Sequence, residues 1–466
     1  MENITAIIQI ITTVLGCLAA LMSIPVFIRL HWPSPALWIV KLFASALSPL
    51  LFLIGVLSVI VGLTMGSVFL SLIGFYVVLF FFLHIYRITR SPGVSSGFEQ
   101  AFGLDWESHI NAEQKNRFLS TRTIMRLPAV TIPRFEQNIS FASIPETDRK
   151  LLCDVWQPNE TVTSSGLAFI YLHGSAWALL DKDLGTRPFF SHLAAQGHVI
   201  MDVAYRLAHE TDMMGMVHDV KRAIVWMKEN ESTYGVNANT IVVGGGSAGA
   251  HLALLAAYTA NNPQFTPADL EGKDISACGV VSLYGPADLA AMYYHTNQDI
   301  TTRSAPGSAK KAVAVQLPEL LIKKMGKAYY RFHFDKDFAN AGVFAVLLGG
   351  HPDECPEKYA LYSPVTHVHA NCPATIQIQG THDLMAPVNS TRNLHKLLAQ
   401  QKVPTVMHIL PQSDHAFDLI LPNISPSAHT AMYDIERFLA LQIKSVEKPE
   451  VITEEIEKLT LIPCQN

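Results

Sequence analysis

The feature that most constrains this chain is a serine between glycines at the end of a β-forming run. Thr240–Val243 forms that run, Gly244–Gly249 contains Ser247, and Ala250–Ala257 has helix-forming composition. Ser247 is therefore expected where a strand turns sharply into a helix. Flanking glycines allow the tight bend, and the helix start directs N–H groups and a positive dipole end at the same place. The pattern predicts a serine nucleophile beside an anion-stabilising site, as acyl transfer requires.

A glycine-rich turn of this kind has two other uses, because it can approach a phosphate or let a helix pack closely on a sheet. No lysine follows Ser247, which excludes a Walker-type phosphate loop. The run also does not match a dinucleotide fingerprint with its acidic partner. The turn alone leaves catalysis and packing open, and three further segments favour catalysis.

The first of these segments lies upstream of the serine. Leu167–Leu172 is predicted to be a buried strand, and His173–Trp177 follows it with small residues. Small residues past a strand end let main-chain N–H groups face the site of a neighbouring loop, as an oxyanion hole requires. An ordinary turn is the alternative for this segment taken alone.

Two later strand ends supply a carboxylate and an imidazole. Asp383 follows a predicted strand at Ala374–Gln379, and His415 follows another at Thr405–Leu410. Carboxyl ends of strands are where open parallel sheets keep their sites. The order serine, aspartate, histidine, each after a predicted strand, is the chain order of the α/β-hydrolase sheet.

Other titratable residues near these loops are interpreted as structural. His382 and Asp414 directly precede the predicted acid and base, but adjacent side chains point apart, so we assign both to the loops. His367 and His369 could share one face of an extended segment, the minimum for a metal site. Without a third ligand at a sensible spacing, a structural role is favoured and no metal is predicted.

Together, these segments resemble the hormone-sensitive-lipase-like and feruloyl-esterase-like (BD-FAE-like) branch of the α/β-hydrolases over residues 140–443. Tyr205–Glu210 resembles the branch's Tyr-Arg-Leu-Ala-Pro-Glu signature, with a histidine at the proline position. His173–Trp177 resembles His-Gly-Gly-Gly-Trp, with a serine and an alanine in place of two glycines. Gly246 stands where the lipase-like subgroup commonly has aspartate, which favours the esterase-like relatives.

The resemblance implies an α/β fold, a mostly parallel sheet flanked by helices, and a mechanism without metal or organic cofactor. Ser247 would attack a carbonyl carbon, His415 would act as base and then acid, and Asp383 would orient the imidazole. The remaining implied site residues surround the reacting carbonyl: the oxyanion donors Ser175, Ala176 and Ala248, and Trp177 in substrate binding.

The apolar excess of the chain is concentrated at its N-terminal end. Ile4–Ile28 and Leu42–Ile85 contain no charged residue, although charged residues make up 16% of the whole chain. The second run is long enough for two spans with a hairpin at Gly62–Ser67, so we predict three transmembrane helices, the second beginning near Lys41. The alternatives are a cleavable signal peptide, which the start with Glu2 and no basic residue disfavours, and a buried core helix.

The orientation of these helices rests on the basic residues beside them. Arg29 and Lys41 would flank the first loop, Arg87 and Arg90 follow the third span, and the positive-inside rule makes their common side cytoplasmic. The six cysteines are scattered, so they give no sign of an oxidising compartment. Asn-x-Ser/Thr triplets, which oppose this orientation but also arise from turns, begin at Asn3, Asn138, Asn159, Asn230, Asn389 and Asn423.

The expected organisation is a membrane anchor (1–90), a juxtamembrane linker (91–134), a catalytic domain (135–445) with a cap or lid near 292–344, and a charged tail (446–466). An apolar stripe from Phe98 to Ile110 lies either at the membrane interface or against the catalytic domain. The basic residues of the cap segment are few and bracketed by acids, so nucleic acid is not an expected partner.

Two classes of function fit these observations. The first is a membrane-tethered serine hydrolase of carboxylic esters, with small-molecule or lipid-like substrates and the membrane as partners. An amidase, formamidase or deacetylase would use the same three residues, because both ester and amide pass through the same oxyanion. The second is a non-catalytic binding or scaffolding protein on a hydrolase fold, which the presence of all three triad residues disfavours.

Overall fold

The computed structural model describes residues 2–30, 35–145, 147–208, 210–296, 344 and 347–443. Four helices precede the catalytic domain: α1 (Glu2–Phe27), α2 (Pro35–Ala46), α3 (Ser48–Thr64) and α4 (Val68–Ile88). Helices α1 and α4 are long and apolar enough to cross a membrane. Helices α2 and α3 meet at a bend of 69°, so this pair is either one broken span or a re-entrant loop. The described residues thus contain two possible spans, or three if the bent pair counts as one.

The prediction for the second helix was wrong at its start and in its shape. The predicted hairpin is present, with Gly66 at φ +67° between α3 and α4. However, α2 begins before Lys41, and the helix breaks at Leu47. Lys41 lies inside the helix and not at its start, because its side chain is buried against the catalytic domain and paired there. Lys41 therefore cannot be counted as a loop charge when the orientation is judged.

One eight-stranded sheet forms the centre of the catalytic domain, with the strand order β1-β2-β4-β3-β5-β6-β7-β8. Its first two pairings, β1 with β2 and β2 with β4, are antiparallel, and all later pairings are parallel. The eight strands are β1 (Arg134–Ser143), β2 (Lys150–Gln157), β3 (Ala168–Leu172), β4 (Val199–Ala204), β5 (Ile241–Gly246), β6 (Gly279–Leu283), β7 (Ala374–Gly380) and β8 (Thr405–Leu410). The four strands predicted from the sequence are present as β3, β5, β7 and β8.

Helices cover both faces of this sheet, because alternate side chains of each buried strand point to opposite faces. Ile170 and Val243 pack with the helices on one face, whereas Phe169 and Val242 pack with those on the other. The helices are α5 (Phe98–Phe102), α6 (Ala112–Lys115), α7 (Arg187–Ala194), α8 (Met213–Glu229), α9 (Glu231–Tyr234), α10 (Ala248–Tyr258), α11 (Leu289–Thr296), α12 (Pro356–Leu361), α13 (Val388–Gln400) and α14 (Pro426–Gln442).

The segment between anchor and sheet packs on the catalytic domain through its aromatic residues. Phe98 and Trp106 are buried and stack with ring centroids 4.6 Å apart. The ring of Phe102 lies 6.3 Å from that of Phe438 in α14. Most of the predicted cap, including residues 297–343, and the whole tail after residue 443 lie outside the described residues.

Gly249, the second residue of α10, has no space for a side chain. A Cβ atom added there would lie 2.0 Å from the carbonyl oxygen of Leu172 at the end of β3. Since the obstacle is backbone, G249A is expected to lower the free energy of unfolding by at least about 2 kcal/mol. Thermal unfolding of the full chain in detergent should show the loss as a lower Tm. The matched control is G93A, where the nearest atom lies at 3.7 Å, and equal Tm values for both variants would contradict the packing described.

Candidate active site

The turn between β5 and α10 holds Ser247 in a conformation that non-glycine residues rarely adopt. Its backbone has φ +53° and ψ −122°, and its N–H donates to the carbonyl of Leu283 at 2.9 Å. A Cβ atom at Gly245 would lie 2.2 Å from the oxygen of Leu172, so the chain needs glycine to bring β3 and β5 this close. The turn fixes the serine at the carboxyl end of the central strands, in strained backbone.

The side chains of Ser247, His415 and Asp383 form one hydrogen-bonded series. His415 Nε2 lies 2.8 Å from Ser247 Oγ, and its Nδ1 lies 3.0 Å from Oδ2 of Asp383. A carboxylate oxygen only accepts, so Nδ1 carries a proton that it donates to Asp383. Nε2 is then free to accept the proton of the serine hydroxyl. The structure thus brings together the three residues that the sequence assigned to nucleophile, base and orienting acid.

The carboxylate of Asp383 is fixed by donors other than the imidazole. Its Oδ1 accepts from the backbone N–H groups of Met385 at 2.8 Å and Ala386 at 2.7 Å. Its Oδ2 accepts from the side-chain amide of Gln379 at 2.7 Å. These contacts leave the acid one orientation, which directs it at His415.

The loop after β3 lies directly against the nucleophile turn. A Cβ atom at Gly174 would be 3.2 Å from Cβ of Ser247. Ser175, Ala176 and Trp177 follow with φ values of +116°, +53° and +58°, three successive non-glycine residues in left-handed backbone. Helix α10 begins at Ala248 on the other side of the serine, and the first N–H groups of a helix have no acceptor within it. The two segments assigned to an oxyanion hole therefore meet at Ser247.

The Tyr205–Glu210 segment contacts the loop after β3 through hydrogen bonds and ring stacking. Tyr205 donates its hydroxyl to the carbonyl of His173 at 2.9 Å and stacks on the His173 ring. Arg206 donates to both carboxylate oxygens of Asp219, at 2.8 and 2.7 Å. The backbone N–H of Ala208 donates to the carbonyl of Trp177 at 2.8 Å. The histidine at position 209 lies outside the described residues.

Trp177 is buried and hydrogen-bonded to a histidine of α10. Its side chain is 1% exposed, and its indole N–H donates to Nδ1 of His251 at 3.2 Å. His251 in turn donates from Nε2 to the carbonyl of Tyr362 at 2.7 Å. Burial lowers the pKa of His251 to about 4, which keeps it neutral and able to accept from the tryptophan. A role of Trp177 in substrate binding stays a prediction.

Two residues beside the base were not found from the sequence. The ring of Tyr284 lies 4.7 Å from the His415 ring, and its hydroxyl donates to Oδ1 of Asp418 at 2.5 Å. A Cβ atom at Gly246 would lie 2.7 Å from that hydroxyl, which explains why glycine and not aspartate precedes the nucleophile. The only available signal was the position of Tyr284 at the end of β6.

The other histidines and acids considered from the sequence make hydrogen bonds to the surrounding protein. His367 and His369 each place Nε2 within hydrogen-bond distance of a backbone carbonyl, of Leu361 at 2.7 Å and Tyr258 at 3.0 Å. Asp414 accepts from backbone N–H groups on both catalytic loops. His382 contacts Lys41 in helix α2, and the sequence did not indicate this contact.

The strand order, the strained serine turn and the Ser–His–Asp series define an α/β-hydrolase fold. The model of the BD-FAE family matches residues 153–398, more than half of the 466 residues. The chain therefore belongs to the BD-FAE family.

Three esterases of Mycobacterium tuberculosis are among the proteins that this chain resembles. The chain is 31% identical over 289 residues to the probable carboxylic ester hydrolase LipM of Mycobacterium tuberculosis, covering 62% of this chain and 57% of LipM. It is 30% identical over 284 residues to esterase LipC of the same organism, covering 60% of this chain and 61% of LipC. Esterase LipQ is 27% identical over 326 residues, with 68% of each chain covered. The chain thus spans less than two thirds of LipM and LipC.

Asp418 gives the site a testable dependence on pH. Burial raises the pKa of this carboxyl from 3.8 to about 6, although its contact with Tyr284 acts in the opposite direction. The folded state therefore holds a proton that the unfolded state releases, and stability falls as pH rises from about 4 to about 6. D418N keeps an acceptor for Tyr284 and should remove up to about 3 kcal/mol of this decline. Unfolding curves measured at pH 4, 5 and 6 test this, and identical slopes for wild type and D418N would contradict it.

Proposed function

We propose that this protein is a serine hydrolase that cleaves carboxylic esters through an acyl-enzyme. The observation that carries the proposal is the series from Ser247 Oγ to His415 Nε2 at 2.8 Å and from His415 Nδ1 to Asp383 Oδ2 at 3.0 Å. The buried imidazole has a hydroxyl on one side and a fixed carboxylate on the other, the arrangement that a general base needs.

In the first half-reaction, His415 Nε2 takes the hydroxyl proton while Ser247 Oγ forms a bond to the carbonyl carbon. Asp383 stabilises the imidazolium through Nδ1–H. The resulting oxyanion would accept from the N–H groups of Ala248, Ala176 and Ser175, and losing one such donor typically costs about 3 kcal/mol. The imidazolium then gives its proton to the departing alcohol, and the acyl group stays on Oγ. Water releases it by the same steps.

Membership of the BD-FAE family and the names of LipM and LipC support an ester as the substrate. An amide would need the same proton transfer to a poorer leaving group. The two are separated by a matched pair of an aryl ester and the corresponding anilide with one acyl chain. We expect faster turnover of the ester, and a reversed order would assign the protein to the amidases.

We propose that the N-terminal helices anchor the enzyme in a membrane. Helices α1 and α4 are long enough to span, and apolar side chains such as Ile10, Phe69 and Leu72 are exposed on them. An anchored enzyme would meet apolar esters where they partition. Arg87 and Arg90 at the end of α4 favour a cytoplasmic catalytic domain.

S247A is expected to abolish both ester hydrolysis and labelling by a fluorophosphonate probe, because no other group in the series can form the acyl bond. D383N should retain the fold and lower kcat by about 10⁴, since an amide at this position no longer selects the required tautomer of His415. Gel-based labelling of membranes and steady-state kinetics measure these effects. Equal labelling of wild type and S247A would exclude Ser247 as nucleophile, and absent labelling of both would favour a non-catalytic binding protein.

The cytoplasmic orientation predicts that a glycosylation reporter fused after Asn466 stays unmodified in a eukaryotic host. A second fusion before Met1 is the matched comparison, since an odd number of spans would leave the two reporters on opposite sides and an even number on the same side. Gel mobility with and without glycosidase gives the answer. Glycosylation of the C-terminal reporter would reverse the proposed orientation.

A further inference from the structure

Helix α2 presents one face to the catalytic domain. Trp38, Lys41, Leu42 and Ser45 are spaced as i, i+3, i+4 and i+7, so they share one side of the helix. Lys41 is 1% exposed, and Leu42 and Ser45 are also buried. On the opposite side, Val40 and Phe43 are 43% and 40% exposed. The helix is therefore two-sided, with its polar side chains directed inward.

Lys41 reaches the two loops that carry the base and the acid. Its Nζ donates to the carbonyl of Ile28 at 2.9 Å and to Nδ1 of His382 at 3.0 Å, and it lies 3.1 Å from Oδ2 of Asp414. A carbonyl oxygen, an imidazole nitrogen and a carboxylate oxygen thus surround the ammonium. Two of the partners belong to the catalytic domain, and each directly precedes a residue of the triad.

Asp414 extends this contact into the site. Its Oδ1 accepts from the backbone N–H of Leu384 at 3.0 Å and from that of His415 at 2.8 Å. One carboxylate therefore joins the loop after β7 to the loop after β8, and its other oxygen faces Lys41. The indole of Trp38 adds a donor to the carbonyl of His415 at 3.3 Å.

A second polar contact supports the same loop from a neighbouring helix. Ser45 Oγ lies 2.9 Å from Nε2 of His84 in α4, and Nδ1 of His84 lies 3.2 Å from Oε1 of Gln412. Gln412 has φ +64° and lies three residues before the base. Anchoring in a membrane needs only apolar length. Buried polar side chains aimed at one catalytic loop go beyond that need, since each is costly to bury without a partner.

We propose that α2 is a positioning element of the hydrolytic site, in which Lys41 and Trp38 hold the His415 loop in register with Asp383. The inference rests on the proposed function, because it assigns a role within the same site. Lys41 does not touch the reacting atoms and acts through Asp414, His382 and the backbone of His415. The N-terminal segment would then hold the hydrolytic site in place as well as anchor the protein in the membrane.

The electrostatics of the cluster give this role a signature in pH. Asp414 faces Lys41, Asp383 and the backbone N–H of His415, while His382, Arg29 and His84 face Lys41 or its partners. Burial raises the pKa of Asp414, and the Lys41 ammonium opposes this. Burial together with Lys41 lowers the pKa of His382 to about 4, so His382 is neutral and can accept. Without Lys41, an ionised Asp414 would stand uncompensated beside His415 and favour the imidazolium.

The test uses the full-length protein in membranes, a soluble 4-nitrophenyl ester and the variants K41M, K41M/D414N and W38F. The control is L37A in the same helix, where the leucine side chain is 54% exposed. We expect K41M to lower kcat roughly tenfold with KM within about twofold, because the base is misplaced while the pocket remains. The low-pH limb of the kcat–pH profile of K41M, the acid limb, should move to higher pH. K41M/D414N should return that limb to the wild-type position, and L37A should match wild type.

Several results would overturn the inference. These are a wild-type kcat and pH profile in K41M, a loss of rate with no movement of the acid limb, or an equal loss in L37A. If K41M does not accumulate as folded protein, W38F is the deciding variant, because it removes the indole N–H donor and keeps an aromatic side chain. A kcat at least about threefold lower supports the inference, and an unchanged kcat rejects it. If wild type itself neither hydrolyses the ester nor labels with a fluorophosphonate, the proposed function has failed as well, which distinguishes the two.

Discussion

The structure depends on the close approach of β3 and β5 at their carboxyl ends. Gly245 and Gly249 lie against the carbonyl of Leu172, where a side chain would lie 2.2 and 2.0 Å from that oxygen. This approach places the loop after β3 beside Ser247, so potential N–H donors and the nucleophile come from different strands but meet at one place. His415 can then reach the serine while its other nitrogen contacts Asp383. The geometry of the candidate site is thus set first by backbone packing.

The sheet and the contact between Ser247, His415 and Asp383 could be predicted because their signals are local and repeated. Apolar runs of strand length, each followed by a polar loop, mark β3, β5, β7 and β8, and the order of Ser247, Asp383 and His415 along the chain matches one known arrangement. The resemblance to the BD-FAE-like branch rests on the same residues, and it implies the fold as well. Such patterns can be recognised in the sequence because each strand is buried on both faces, whereas the loop at its end carries a polar side chain.

What could not be predicted lies in contacts between segments distant along the chain. Tyr284 stacks beside His415, and nothing in its own neighbourhood indicates that ring contact. The sequence places Lys41 beside the first loop, at the start of the second span, because hydropathy counts a lysine as a cost wherever it stands. In the structure that cost is offset by Asp414, which is 373 residues later in the sequence. Periodicity within one helix cannot show which distant acid will face it.

The ion pair between Lys41 and Asp414 also bears on how the protein can be divided. A fragment that starts after residue 90, as is common for making soluble forms of anchored enzymes, would leave a buried carboxylate without its cation and the carbonyl of His415 without the indole donor. Removing one partner of a buried pair typically destabilises a protein by about 3–5 kcal/mol. Buried polar contacts therefore join the first 90 residues to the hydrolase domain, and a cut between them removes contacts to the loop of the proposed base, His415.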